Sequence, residues 1–286
     1  SPLPSPGLRL ALPKGRIDAG VRALLAEAGI DVAFGDRSYR ARLSLGDCKM
    51  LKPQNIVEML QLGSRDVGFA GADWVAELCP GGEVVELVDT ELDPVRIVAA
   101  APAELLDQGA LPRRRLVVAS EYQRLASAWI RERGLDAVLL RSYGATEVFP
   151  PEDADCIVDN TASGSTLRDN GLVVVEELMR SSTRLYASAH AFERNREAIE
   201  ELAVLVRSVL EARKRVMVEV NVAPSALDAV IAIMPCMRQP TVAQLAGEGF
   251  AVKAAVPRAA LPRLLLDLKA RGATDIVVTN FSQLLV

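Results

Sequence analysis

The residues with the most chemical content lie close together, in Asp155-Cys156-Ile157-Val158-Asp159-Asn160-Thr161-Ala162-Ser163-Gly164-Ser165-Thr166-Leu167. An apolar run, Cys156 to Val158, delivers the acid Asp159 to a small, hydroxyl-rich turn that opens a helix near Thr166. Such a turn presents backbone N–H groups at a helix start, where the peptide dipoles also favour an anion. Ser163, Ser165 and Thr166 add hydroxyl donors, and Gly164 lets the backbone approach a ligand closely. Asp159 does not bind phosphate, but it can accept hydrogen bonds from ribose hydroxyls or hold a Mg²⁺ ion. A phosphate attached to a sugar therefore fits better than a bare anion. An ordinary capped helix after a strand uses the same residue types, so the loop alone leaves both readings open. No Walker-type lysine and no G-x-G-x-x-G accompanies it, which disfavours nucleotide triphosphate hydrolysis and dinucleotide binding.

Composition narrows the remaining chemistry. The chain has 286 residues, room for about two domains. It is 50% hydrophobic and 24% charged, as ordinary globular proteins are, with 4% aromatics, so aliphatic residues must fill the core. A formal net charge of -4 argues against nucleic acid as a partner. The triplet Arg113-Arg114-Arg115 reads as a solvated edge ahead of a strand. Cys48, Cys79, Cys156 and Cys236 are far apart and form no C-x-x-C pair, which suits reduced thiols in the cytoplasm and gives no zinc or redox motif. The single histidine, His190, leaves almost no material for multi-histidine metal sites or Ser-His-Asp chemistry, and its place ahead of a helix reads as structural. No apolar run approaches the roughly 20 residues that span a membrane. Ser1 to Gly7, rich in Pro and Ser, reads as a disordered leader.

The elements that must position the loop follow from hydrophobic periodicity. Leu8 to Leu12 reads as a strand entering the loop Pro13-Lys14-Gly15-Arg16. A helix follows, capped by Asp18, with Val21, Leu24, Leu25 and Ala28 on one face and Gly29 as its stop. Ile56 to Leu62 predicts a helix capped by Asn55, and Val67 to Ala70 a buried strand leading into a helix through Trp74 and Leu78. Leu116–Ala119 strand, Glu121–Arg133 helix and Ala137–Leu140 strand repeat the rhythm, and Arg184–Ala189 adds a strand. Alternation of this kind predicts an α/β part with a largely parallel sheet. The segment Pro94 to Ala101 reads as a crossover between two lobes. Ala191 to Arg215 predicts one long amphipathic helix with Ile199, Leu202, Ala203, Val206, Val209 and Leu210 on one face. The order then becomes β-α-β-β-α-β, which is ferredoxin-like. The expected division is residues 1–93 with 181–211 as one catalytic lobe, 94–180 as a second lobe carrying the loop, and 212–286 as a separate domain.

Taken together, these segments resemble the long-form ATP phosphoribosyltransferase family. The loop from Ile157 through Ser163-Gly164-Ser165-Thr166-Leu167 to Asn170-Gly171-Leu172 resembles that family's phosphoribosyl-pyrophosphate loop. Leu10-Ala11-Leu12-Pro13-Lys14-Gly15-Arg16 resembles its opening strand and loop, Asp66 to Val75 its D-L-G-I-x-G-x-D segment, and Tyr143-Gly144-Ala145-Thr146-Glu147 its G-x-x-E stretch. Asn221, Ser225-Ala226-Leu227 and Pro240-Thr241-Val242 resemble its ACT-like regulatory domain. The likeness covers nearly all of residues 8–286. Lys52-Pro53-Gln54-Asn55-Ile56 stands where the family often has Arg-Pro-x-Asp-Ile, and Asn160 where an apolar residue is usual.

The resemblance implies a two-lobe, periplasmic-binding-protein-like catalytic part followed by the ACT-like domain. It implies transfer of the phosphoribosyl group to N1 of ATP with release of pyrophosphate, as the first step of histidine biosynthesis. Thr161, Ala162, Ser163, Gly164, Ser165 and Thr166 are expected on the 5′-phosphate and Asp159 on the ribose hydroxyls. Lys14, Gly15, Arg16 and Lys52 are expected to face substrate phosphates, with Asp73 and Glu147 as nucleotide or ribose contacts. No residue is expected as a general base, because N1 of ATP carries no proton to remove. Mg²⁺ is the implied cofactor, with its protein ligands unassigned. Feedback inhibition by histidine is implied, with Asn221, Met237, Thr241 and Ala255 as contacts, in a homo-oligomer between dimer and hexamer. Two alternatives from other classes are a two-lobe solute-binding protein and a non-catalytic amino-acid sensor.

Overall fold

The structure is a computed structural model and describes residues 7–15, 17–34, 40–43 and 46–285. The expected leader therefore lies outside the described residues except for Gly7, and Arg16 lies outside them too. Packing divides the chain into two compact units. The first holds residues up to Ala23 together with Asp31–Ala203, and the second Leu24–Ile30 together with Val204 onward.

The first part of the chain runs β1 (Leu8–Pro13), α1 (Asp18–Glu27), β2 (Val32–Phe34), β3 (Arg40–Leu43), β4 (Gly46–Leu51), α2 (Pro53–Gln61), β5 (Val67–Gly71), α3 (Ala72–Leu78) and β6 (Val84–Pro102). It continues through β7 (Leu116–Ser120), α4 (Gln123–Glu132), β8 (Ala137–Arg141), β9 (Cys156–Thr161), α5 (Ser165–Asp169), β10 (Leu172–Ser188), α6 (Ala189–Arg194) and α7 (Arg196–Lys214). Ten strands form one sheet in the order β2-β3-β4-β1-β5-β10-β6-β9-β7-β8. β1 pairs in parallel with β4 and β5, and β7 with β8 and β9. Between these two parallel groups runs the antiparallel ribbon of β6 and β10, so the sheet is mixed rather than largely parallel. The expected crossover at Pro94–Ala101 is one stretch of the 19-residue β6. Register shifts bend the ribbon, and Glu91 and Asp93 take left-handed φ of 58° and 47°. The irregularity hides the strand period from a sequence reading.

Two helix expectations need correction. α2 begins at Pro53 with Lys52 in the cap position, and Asn55 sits inside the first turn, its amide donating to Glu58 Oε2 at 3.3 Å. Proline at the first helical position has its φ already set and loses no needed N–H, so it outcompetes the asparagine as the starting point. The long helix expected from Ala191 is broken at Asn195 (φ -128°, ψ 36°), giving α6 and α7. The apolar face of α7 is as expected: Ile199, Leu202, Ala203, Val206, Val209 and Leu210 are all buried.

The second unit contains β11 (Arg215–Val222), α8 (Leu227–Ile231), β12 (Thr241–Gln244), β13 (Phe250–Pro257), α9 (Leu261–Ala270) and β14 (Thr274–Asn280). Its antiparallel sheet has the order β12-β13-β11-β14, the ferredoxin-like arrangement. Alternate residues of β11 and β13 share one face: Val216, Val218, Val220 and Val222 lie opposite Val256, Ala254, Val252 and Phe250. That face packs with Val230, Leu264 and Leu268 from the two helices and with Met234 just beyond α8. The end of α1 belongs to this unit, where Glu27 forms an ion pair with Arg213 at 2.7 Å.

All four cysteines are free; Cys48, Cys79 and Cys156 are buried and Cys236 is half-buried. Burial pushes the Cys48 and Cys156 thiols up to about 12. Among the described residues no helix is long and apolar enough to cross a membrane.

Candidate active site

Strand direction decides where the chemistry collects. β9 carries three buried residues, Cys156, Ile157 and Val158, through the sheet and releases Asp159 near its C-terminal end. β7 runs parallel beside it, so Glu121 and Tyr122 emerge at the same end. In the other parallel group, Pro13 of β1 lies opposite Leu51 of β4, and the Lys14 N–H donates to the Leu51 carbonyl at 2.9 Å. Lys14 and Lys52 therefore leave the sheet side by side, next to the β5 end that feeds Asp73. The C-terminal ends of parallel strands are where α/β sheets bind ligands, because the chain reversals leave a crevice there.

The loop itself is built from local hydrogen bonds. Thr161 Oγ1 accepts from the Gly164 N–H at 3.0 Å and closes the turn. Ser163 and Ser165 hydroxyls are 2.9 Å apart, and Arg168 Nη1 donates to the Ser163 carbonyl at 3.1 Å. Gly164 has φ +76°, and a Cβ there would stand 3.1 Å from Arg168 Nη1. Because α5 is only five residues long, aligned dipoles add little, and hydroxyl and amide donors dominate the site. A pocket of about 270 Å³ is lined by Asp159, Thr161, Ala162, Ser163, Gly164, Ser165 and Thr166 together with Glu147, Asn160 and Leu167. Every loop residue expected from sequence, and Glu147, thus shares one cavity.

Glu147 reaches it from a 3₁₀ turn, Thr146–Val148, that follows Ala145 in a left-handed conformation. Thr146 is buried and its hydroxyl lies 2.7 Å from that of Ser142. Burial pushes the Asp159 carboxyl up to about 7, and the nearby Glu147 and Glu121 charges push the same way. Hydrogen bonds from the Asn160 backbone and the Thr146 side chain pull it down. Burial also raises Glu121, while Lys52 and Arg141 lower it, so these two cations stand within electrostatic reach of an acid beside the pocket.

Asp73 sits differently from the expectation. It is buried, and both carboxylate oxygens are taken by protein donors: Oδ2 by the Tyr122 hydroxyl at 2.7 Å and Oδ1 by the Ser181 hydroxyl at 2.6 Å. Tyr122 is fully buried and stacks on Trp74 with ring centroids 4.6 Å apart. Its hydroxyl also accepts from Asn160 Nδ2 at 3.2 Å, and the Asn160 N–H donates to Asp159 Oδ1 at 2.7 Å. A continuous path of polar contacts therefore leads from Asp159 through Asn160 and Tyr122 to Asp73 and Ser181. Sequence reasoning flagged Asn160 as unusual and gave no role to Tyr122, Ser181 or Glu121. The polar Asn160 ahead of the hydroxyl-rich turn was the available signal.

In the second unit, a pocket of about 350 Å³ is lined by Met217, Cys236, Met237, Arg238, Gln239, Thr241, Lys253, Ala254, Ala255, Leu284 and Leu285. Three of the four expected effector residues, Met237, Thr241 and Ala255, line it. Asn221 does not; it lies four residues along β11 from Met217, about 13 Å away, with its amide on Asp275 Oδ2 at 3.1 Å.

An α/β sheet with a hydroxyl-and-amide loop behind a strand-borne acid defines the phosphoribosyltransferase class of site. The chain belongs to the ATP phosphoribosyltransferase family: that family's profile matches residues 52–208, and the profile of its C-terminal domain matches 212–283. Curated ATP phosphoribosyltransferases of Pelodictyon phaeoclathratiforme and Chlorobium luteolum are 32% and 33% identical over 97% of this chain and of their own lengths. That of Pelotomaculum thermopropionicum is 33% identical over 94% of this chain and 96% of its own. The solved ATP phosphoribosyl transferase (HisG:HisZ) complex from Thermotoga maritima superposes with a TM-score of 0.65 at 23% identity, over 71% of this chain and 98% of its own, which is a likeness of fold. The chain is thus a pentosyltransferase of histidine biosynthesis acting at the first step. The solute-receptor and sensor alternatives fall away.

Proposed function

We propose that the Thr161–Thr166 loop grips the 5′-phosphate of phosphoribosyl pyrophosphate while Asp159 takes the ribose hydroxyls. The observation that carries this reading is the single pocket at the C-terminal ends of β7 and β9, lined by the whole loop and Glu147. The two parallel strand groups flanking the β6–β10 ribbon are the natural lobes, 1–93 with 181–211 and 94–180. Lys14 and Lys52 stand on the first, placed to neutralise phosphates of ATP and the leaving pyrophosphate. The sugar carbon gains oxocarbenium-like positive charge as pyrophosphate departs. Positioning and fixed charge therefore do the catalysis, and no general base is required. Glu147 and Asp159 bring negative charge to the sugar side, which favours the cationic transition state.

Among the described residues no group of three or more His, Cys, Asp or Glu is arranged to hold a metal. That suits Mg²⁺, which keeps waters and substrate phosphates as most of its ligands and takes one or two carboxylates. Asp159 and Glu147 are the hard oxygen donors in the pocket that would hold it. When bound, it supplies positive charge to the leaving pyrophosphate.

Replacing Gly164 tests the loop directly. Gly164→Val places a branched side chain at φ +76° against Arg168, and phosphoribosyl-ATP formation should fall by about 10²-fold, with the backbone strain lowering the thermal midpoint by only a few degrees. Near-normal activity would sink the loop assignment. The second-unit pocket around Met237, Thr241 and Ala255 is the proposed seat of inhibitory histidine. The cytoplasm and a homo-oligomer between dimer and hexamer complete the reading.

A further inference from the structure

A second pocket in the same C-terminal unit, of about 420 Å³, has no part in that reading. Arg207, Glu211 and Arg215 line it at four-residue spacing along the end of α7 and the first residue of β11. Within α7 that spacing brings Arg207 and Glu211 to one face, about 6 Å apart along the axis, and Arg215 joins them just beyond the helix end. An apolar wall is formed by Met237, Leu284 and Leu285, with Leu285 69% exposed, and Val204, 41% exposed, stands one turn before Arg207 on α7 itself. The C-terminal segment forms this wall because the Leu284 N–H donates to the Ser208 carbonyl at 2.9 Å, which ties it to α7. Arg215 Nε is buried and has no hydrogen-bond partner among the described residues.

A buried donor without an acceptor is costly, and a guanidinium edge matches a carboxylate with two parallel hydrogen bonds. We infer that this pocket binds an organic monocarboxylate with an apolar body. The carboxylate sits on Arg215, with Arg207 adding positive potential. The body lies against Val204, Met237 and Leu285. Two guanidiniums and one carboxylate leave a single net positive charge, which suits one carboxylate and disfavours polyphosphates. An aliphatic α-amino acid and its deaminated acid share this chemistry. Glu211 distinguishes them, because it can accept from the ammonium of the first. The neighbouring pocket proposed for histidine shares Met237, Leu284 and Leu285 but none of these three charged side chains, so the two sites can be tested apart.

Calorimetric titration of the full chain with L-leucine and, separately, 4-methylpentanoate tests this. A saturable heat is expected with both probes. Arg215→Lys keeps the charge but removes Nε and should weaken both about tenfold. Glu211→Gln should weaken leucine alone, and Thr241→Val, in the neighbouring pocket, should leave both unchanged. Arg207→Gln, on the exposed face of α7, gives a second variant with several-fold weakening if Arg215→Lys does not fold. No saturable heat at millimolar probe, full-strength binding to both arginine variants, or a loss that follows Thr241→Val would each overturn the proposal.

Discussion

At the scale of single residues, Asp159 holds the most consequence. Its carboxyl is pushed up to about 7 by burial beside Glu147 and Glu121, so it takes up a proton as pH falls through that value. The protonated form is a poorer acceptor for ribose hydroxyls and a poor Mg²⁺ ligand. The apparent KM for phosphoribosyl pyrophosphate should therefore rise as pH drops from 8 toward 6, and Asp159→Asn should raise KM at pH 8 and flatten the profile. The stability sign runs the other way. A carboxyl raised in the folded state is ionised sooner in the unfolded chain, so it costs stability progressively above about pH 4 and most fully above pH 7. Thermal melts should show Asp159→Asn more stable than wild type at pH 8 and equal to it at pH 3. A midpoint gain that does not depend on pH would count against this account.

At the scale of elements, the contacts through Tyr122 join β7, α3, β9 and β10. Removing one hydroxyl, by Tyr122→Phe, leaves Asp73 Oδ2 buried without its donor and takes away the acceptor of Asn160 Nδ2. The expected cost is about 1–3 kcal/mol in urea unfolding, with a KM for phosphoribosyl pyrophosphate that rises because Asn160 no longer steadies Asp159. Loss of stability with an unchanged KM would mean that the contact braces the sheet and nothing more. The same elements mark the reach of sequence reasoning. β5, β7 and β9 are short apolar runs ended by small or turn residues, and were legible as strands. The ribbon strand β6 mixes charges, a proline and two left-handed residues, so its period is broken, and its second half was read as a crossover rather than a strand. The loop residues were legible because donors near an anion must be consecutive. The bond between Asp73 and Tyr122 was not, because they are 49 positions apart and meet only through folding.

At the scale of the whole molecule, the ferredoxin-like order of the second unit was plain from alternating valines in β11 and glycine stops at Gly249 and Gly272. The departure of Asn221 from the pocket was not, because the distant segments 236–239 and 284–285 build that pocket at the Met217 end of β11. The four cysteines carry a consequence for handling the protein. Cys48, Cys79 and Cys156 are buried with raised thiols, so they hold almost no thiolate at neutral pH and are closed to reagents. Cys236 is half-buried in the wall of the pocket proposed for histidine. A small maleimide should therefore add once per native chain, at Cys236, and saturating L-histidine should slow that addition several-fold in intact-mass measurements. Several fast additions, or one that histidine leaves untouched, would argue against the pocket as the effector's seat. An unmodified wild-type chain thus carries its own chemical footprint of occupancy, read by mass spectrometry without any engineered label.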